Sequence, residues 1–188
     1  MKPLILVGTT LELRTLANVL HRTLSVNDLG QYLDLNDGLL AAVGIGPDRA
    51  KALTTAWIDR LRPKTLVHLG TAGSLRDDLI TGTWVFVTHA NQFELQSTAT
   101  VARGISVQTV AKPVTDEDTR RELSLHADAV DMELAAIAAA AAQSALQLSA
   151  YKLITDHADR RAIQSYRRVV KTAFHHGLTM VAISGATT

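Results

Sequence analysis

The sequence predicts an α/β fold of three α/β/α layers around a central mixed, mainly parallel sheet. Short apolar runs recur along its 188 residues, and helical patterns separate several of them. Such alternation belongs to sheets with helices packed on both faces.

The elements follow in order. Pro3 to Val7 is a continuous apolar run, Gly8-Thr9-Thr10 a turn, and the amphipathic stretch through Leu24 a helix. Strands are expected at Leu39 to Val43, Thr65 to Gly70, Trp84 to His89, Ile105 to Val110 and Ala150 to Thr155. Ala127 to Val130 is a shorter strand-like run. Helical patterns cover Asp48 to Leu61 and Ala162 to Met180, and Thr115 to Glu122 reads as a loop entering a short helix. Met132 to Leu148, dense in Ala and Leu and free of Gly and Pro, has strong helix propensity.

Gly44-Ile45-Gly46 and Gly70-Thr71-Ala72-Gly73 read as turns after strands. Neither meets G-x-G-x-x-G, and no G-x-x-x-x-G-K-[ST] occurs. They serve either as plain tight turns or as places where backbone N–H groups approach a ligand.

Composition bounds the function. With 47% hydrophobic residues, the chain 1–188 has material for one domain with a full core. Nineteen basic residues against 18 acidic ones, with 4% aromatics, offer neither a phosphate-tracking surface nor a stacking platform, so no nucleic-acid partner is expected. Cysteine is absent, which removes disulfides and thiolate chemistry and fits a reducing cytoplasm. The seven histidines lack ligand spacing for a metal site. The N-terminal apolar run is too short for a signal peptide, and the Ala-rich helix is bracketed by Asp131, Glu133 and Gln143, so no membrane segment is expected.

Two acid-bearing segments stand out: Val130-Asp131-Met132-Glu133 and Ile154-Thr155-Asp156. Each follows an apolar strand-like run, and open α/β sheets bind ligands beyond the carboxyl ends of their strands. Taken singly, Asp156 also suits a helix cap or turn, and Glu133 suits a first helical turn, where it complements the macrodipole.

The order of segments resembles the nucleoside phosphorylase and nucleosidase superfamily, most closely the hydrolytic branch typified by 5'-methylthioadenosine/S-adenosylhomocysteine nucleosidase. The segments are GTTLEL at 8–13, VGIGPDRA at 43–50, LGTAGSL at 69–75, VDMELAAIA at 130–138 and ITDHAD at 154–159. The resemblance implies Asp156 as the acid that protonates a purine leaving group and Glu12 as the base that activates water. It implies Glu133 on the ribose hydroxyls, Met132 against the sugar, Thr71, Ala72 and Gly73 beside sugar and base, and Ile45 near the 5' substituent. It further implies a homodimer acting on a small nucleoside without metal or organic cofactor.

Two stretches depart from that pattern. Between Asn91 and Val101 the chain is short where relatives carry a pocket-closing loop and helix, and Thr109 to Asp116 lacks the aromatic they place against the base. Nucleoside phosphorylase and non-catalytic nucleoside binder are the alternatives. Glu12 stands where phosphorylases grip phosphate with cationic groups, and a carboxylate repels that anion, which favours water as acceptor. An acid and a base are the least that N-glycosidic hydrolysis asks for, because the base departs with negative charge while the sugar becomes cationic. By analogy with inverting glycosidases, a separation of roughly 6.5–9.5 Å leaves room for the water.

Overall fold

The computed structural model describes residues 3–96 and 104–179. It begins with β1 (Leu4–Val7) and α1 (Thr10–Val19), then a meander of β2 (Ser25–Asn27), β3 (Gly30–Leu35) and β4 (Gly38–Ala42). Next come α2 (Pro47–Leu61), β5 (Leu66–Ser74), β6 (Trp84–Ala90), β7 (Phe93–Glu94) and β8 (Gly104–Thr109). The last third holds α3 (Glu117–Ser124), β9 (Ala129–Asp131), α4 (Leu134–Gln143), β10 (Leu148–Asp156) and α5 (Ala162–Ala173), closed by a 3-10 turn at Phe174–His176.

The strands form one mixed α/β sheet in the order β10-β6-β8-β9-β5-β1-β4-β3-β2, with β7 on β6. β10 also pairs with β5, so β5, β10, β6, β8 and β9 close into a ring from which β1, β4, β3 and β2 extend. Among the described residues, parallel and antiparallel pairings are five each. Parallel pairing is thus less dominant than expected, partly because the two-residue loops Asp28–Leu29 and Asn36–Asp37 can join only antiparallel neighbours.

Both faces of the sheet are covered. Leu4 and Leu6 pack with Trp57 and Ile58 of α2 and Leu134 and Ile137 of α4, whereas Ile5 and Val7 pack with Leu13 and Leu16 of α1 and Val169 and Val170 of α5. This alternation is the two-residue period of a strand buried on both sides.

Several boundaries differ from the sequence expectation. The first helix ends at Val19 rather than Leu24, with His21 left-handed at φ 51°, and the chain enters the unpredicted β2–β3 hairpin. Asp28-Leu29-Gly30 makes its turn, and Asn36-Asp37-Gly38 is the clearer hairpin signal, for the turn that follows between β3 and β4. The Ala-rich helix spans Leu134–Gln143 instead of Met132 to Leu148, which leaves Glu133 at the N-cap without a side-chain capping bond. α5 stops at Ala173, and Met180 lies outside the described residues. The chain beyond Asn91 passes through β7, while residues 97–103 of the shortened connection also lie outside them.

Gly70 to Gly73 is not a turn. These residues run inside β5, whose one edge pairs with β1 through Leu69 and with β9 from Gly73 onward. Gly70, Thr71 and Ala72 fall in the gap between those two partners. The chain leaving β1 and the chain leaving β9 both open onto that gap, and they carry Glu12 and Glu133.

Candidate active site

Glu12 is placed by local rules. Thr9 caps α1, its Oγ1 accepting from the Glu12 amide at 3.2 Å while the Thr9 amide donates to Glu12 Oε2 at 2.7 Å, a reciprocal capping box. Such a Glu is ordinarily solvated; this one is 1% exposed, and its Oε1 accepts from Thr71 Oγ1 at 3.1 Å. Burial raises its pKa, opposed by the Thr9 amide and by the positive charge of Lys152. Gly8 makes the approach possible, since a Cβ there would lie 3.2 Å from Glu12 Oε2 and 3.5 Å from Glu133 Oε2.

Glu133 is 8% exposed and accepts from the Gly46 amide at 3.3 Å. The Gly44-Ile45-Gly46 loop does bend as expected, with φ of 82° and 94° at its glycines. The N–H it presents meets a carboxylate of the protein. Burial first, then the neighbouring Asp131 charge, pushes the Glu133 pKa up to about 7, with Lys152 pulling the other way.

Behind these acids lies a buried polar chain. Lys152 Nζ donates to Asp131 Oδ2 at 2.6 Å and lies 2.9 Å from His68 Nε2, all three residues being at most 5% exposed. Asp131 also accepts from Thr109 Oγ1 at 2.6 Å and from the Leu134 amide at 2.9 Å. Burial, followed by the Lys152 charge, drives the His68 pKa well down, so the ring is neutral and accepts from the ammonium. Gly70 leaves space for the pair, since a Cβ there would sit 2.7 Å from Lys152 Nζ.

Asp156 ends β10 just past a break in its register with β5. Thr155 Oγ1 donates to its Oδ2 at 2.7 Å and the Ala158 amide to its Oδ1 at 2.8 Å. Both bonds favour the carboxylate, yet burial outweighs them and the pKa is raised.

All eight residues expected from sequence, Asp156, Glu12, Glu133, Met132, Thr71, Ala72, Gly73 and Ile45, line one cavity of about 440 Å³. A cavity of that size lies within the range of small-molecule sites. Sequence reasoning missed Thr9, Thr155 and the α5 residues Ala162, Ile163, Tyr166 and Arg167 on the same wall. The 162, 163, 166, 167 spacing on a helix was their available signal. Tyr166 hydroxyl lies 2.6 Å from Thr9 Oγ1, and burial with the nearby Glu12 charge raises its pKa. In the stretch where relatives place an aromatic against the base, the wall consists of Val110, Pro113 and Val114. Among the described residues no cluster of His, Cys, Asp or Glu has the makings of a metal site, and no helix is long and apolar enough to cross a membrane.

The fold is shared with solved nucleosidases. A Helicobacter pylori 5'-methylthioadenosine nucleosidase variant with 5'-methylthioadenosine in its active site superposes with TM-score 0.83 at 16% identity, covering 98% of this chain and 97% of that one. The futalosine hydrolase of the same organism, as a mutant, gives 0.83 at 14%, covering 98% and 99%. The Neisseria meningitidis 5'-methylthioadenosine/S-adenosylhomocysteine nucleosidase with methylthio-immucillin-A gives 0.81 at 21%, covering both chains fully. No curated protein sequence matches the chain. The model of the phosphorylase superfamily matches residues 5–127, well over half the sequence, and the protein therefore belongs to the phosphorylase superfamily.

Proposed function

We propose that the protein is a purine nucleoside hydrolase on a single three-layer α/β/α domain, cleaving the N-glycosidic bond of an adenine nucleoside with water. The observation that carries this is the convergence of three buried carboxyl groups, from the ends of β1, β9 and β10, on one nucleoside-sized cavity.

In this mechanism Asp156, whose burial favours the protonated form, delivers a proton to the departing base. Glu12, steadied by the Lys152 charge, takes a proton from water as that water attacks the anomeric carbon. Glu133 accepts from the ribose hydroxyls, with Met132 against the sugar. Thr71 and Ala72, on the unpaired edge of β5, and Gly73, where β9 joins that edge, flank sugar and base, and Ile45 stands by the 5' substituent. The cationic charge that develops on the ribose is stabilised by the surrounding carboxylates. The base is held between aliphatic walls that include Val110 and Val114. Arg167 is the only Arg or Lys side chain among the cavity-lining described residues, which fits water rather than phosphate as acceptor. A cytoplasmic homodimer working without metal or organic cofactor completes the proposal, in keeping with the absence of cysteine.

The deciding experiment incubates the protein with methylthioadenosine, adenosylhomocysteine, adenosine, inosine and futalosine, with and without phosphate, and follows free base by chromatography. Adenine release independent of phosphate is the expected result. Ribose 1-phosphate formation indicates a phosphorylase, and tight binding without base release indicates a binding protein.

A further inference from the structure

Charge is distributed unevenly between the depth and the mouth of the cavity. Its interior holds the carboxyl groups of Glu12, Glu133 and Asp156, each at most 8% exposed. At the mouth stand Ile45, 60% exposed, and Ile163, 58% exposed, together with the exposed Arg167. Ile45 and Ile163 thus leave apolar side-chain surface at the rim of the cavity.

Arg167 has no hydrogen bond or ion pair among the described residues; its charge bears weakly on the neighbouring Tyr166 hydroxyl, opposing the burial that raises that pKa. Other arginines in the protein do find acids: Arg60 grips Asp28, Arg76 bridges Asp78 and Asp128, and Arg120 reaches Asp77. The stretch 160–171 carries Arg160, Arg161, Arg167, Arg168 and Lys171 without one acid. Arg167 and Lys171 stand four apart on α5, a like-charge pair that weakens a helix. Helix stability therefore gives no reason for the cation that faces the cavity.

Resting on the nucleosidase reading, we infer that this cavity takes a nucleoside whose 5' arm ends in an anion, with Arg167 as the residue that selects it. The base and ribose occupy the acidic interior, which repels an anion, so an anionic group is tolerated only where the arm leaves between Ile45 and Ile163. There the guanidinium offers a planar fork of donors suited to a carboxylate or a phosphate. The isoleucines pack against the apolar part of the arm.

The test uses adenosine derivatives with a 5'-carboxyethylthio arm and the matching uncharged amide, with adenosine 5'-monophosphate as the phosphate arm. For the unmodified protein kcat/KM favours the acid over the amide by about tenfold, mostly through KM, as a charge-assisted hydrogen bond to an exposed arginine provides. The preference shrinks as salt rises. In Arg167→Gln the acid-to-amide ratio collapses towards one, and Arg167→Lys keeps part of it. A carboxylate arm preferred over the monophosphate identifies a carboxylate reader, and the reverse a phosphate reader. A ratio near one in the unmodified protein, or one unchanged in Arg167→Gln, overturns the inference. If no substrate releases adenine, the hydrolase reading fails by itself, and calorimetric Kd values for the same acid–amide pair still decide the role of Arg167.

Discussion

Lys152 Nζ and Asp131 Oδ2 lie 2.6 Å apart with side-chain exposures of 0% and 1%, so a full ion pair is sealed behind the cavity. Burying two charges is costly, and the pair persists because each partner has other bonds: Lys152 to His68, Asp131 to Thr109 and the Leu134 amide. It ties β10 to the strand end that presents Glu133, and its cation bears on both Glu12 and Glu133.

Lys152→Met leaves the Asp131 charge buried alone. The expected loss of stability is about 3–5 kcal/mol in denaturant titration. The double variant with Asp131→Asn recovers a large part of it. A single variant as stable as the parent protein would show that the pair carries no such burden.

Asp156→Asn keeps the shape of the side chain but has no proton to deliver. Turnover falls by roughly 10²–10⁴-fold with the circular dichroism spectrum unchanged. Glu12→Gln, which retains an oxygen for the Thr9 amide, falls comparably while α1 stays capped. Near-normal hydrolysis in Glu12→Gln would assign the capping box as that residue's whole role. Glu133→Ala raises KM and also lowers kcat, since hydroxyl contacts exist in the ground state and strengthen in the transition state.

The pKa of Glu133 gives a signed pH effect. It is raised from an ordinary 4.5 to about 7, so its stability contribution is full below about pH 4.5 and is lost as pH rises through about 7. His68, held well below its ordinary value, acts in the opposite sense, which makes the comparison with Glu133→Gln the informative quantity. The unfolding free energy of the unmodified protein minus that of Glu133→Gln should decrease by on the order of 3 kcal/mol between pH 4.5 and pH 8. A difference that stays flat across this range contradicts the raised pKa.

Gly73→Ala probes the edge of β5. Its Cβ would fall 2.8 Å from Asp156 Oδ1 and 3.2 Å from the Ala158 Cβ, so the catalytic candidate must shift. We expect about 1–3 kcal/mol of destabilisation and a loss of turnover on the order of 10²-fold. Activity retained within a factor of two would show that Asp156 has room to move.

The sequence by itself determined the elements whose signals are local. The apolar runs that became β1, β5, β6, β8 and β10, the amphipathic α2, and acids falling just beyond strand ends were all legible, because strand and helix periods are written in neighbouring residues. The convergence of Glu12, Glu133 and Asp156 was reached only through resemblance in motif order, which carries long-range information that one sequence's periodicity lacks. Tertiary structure decided the rest. Gly70 to Gly73 looks like a turn when only glycine count is read, but strand pairing with β10 along its length holds it extended, and the gap between β1 and β9 makes its free edge a wall of the cavity. Lys152 sits in a run that reads as buried strand, and nothing nearby in sequence foretold that Asp131 and His68 would meet its charge. Tyr166 and Arg167 became cavity residues only when α5 docked against α1 and the Tyr166 hydroxyl met Thr9, 157 positions earlier. Partners so distant in sequence leave no local pattern, and the burial that shifts each pKa exists only once they have come together.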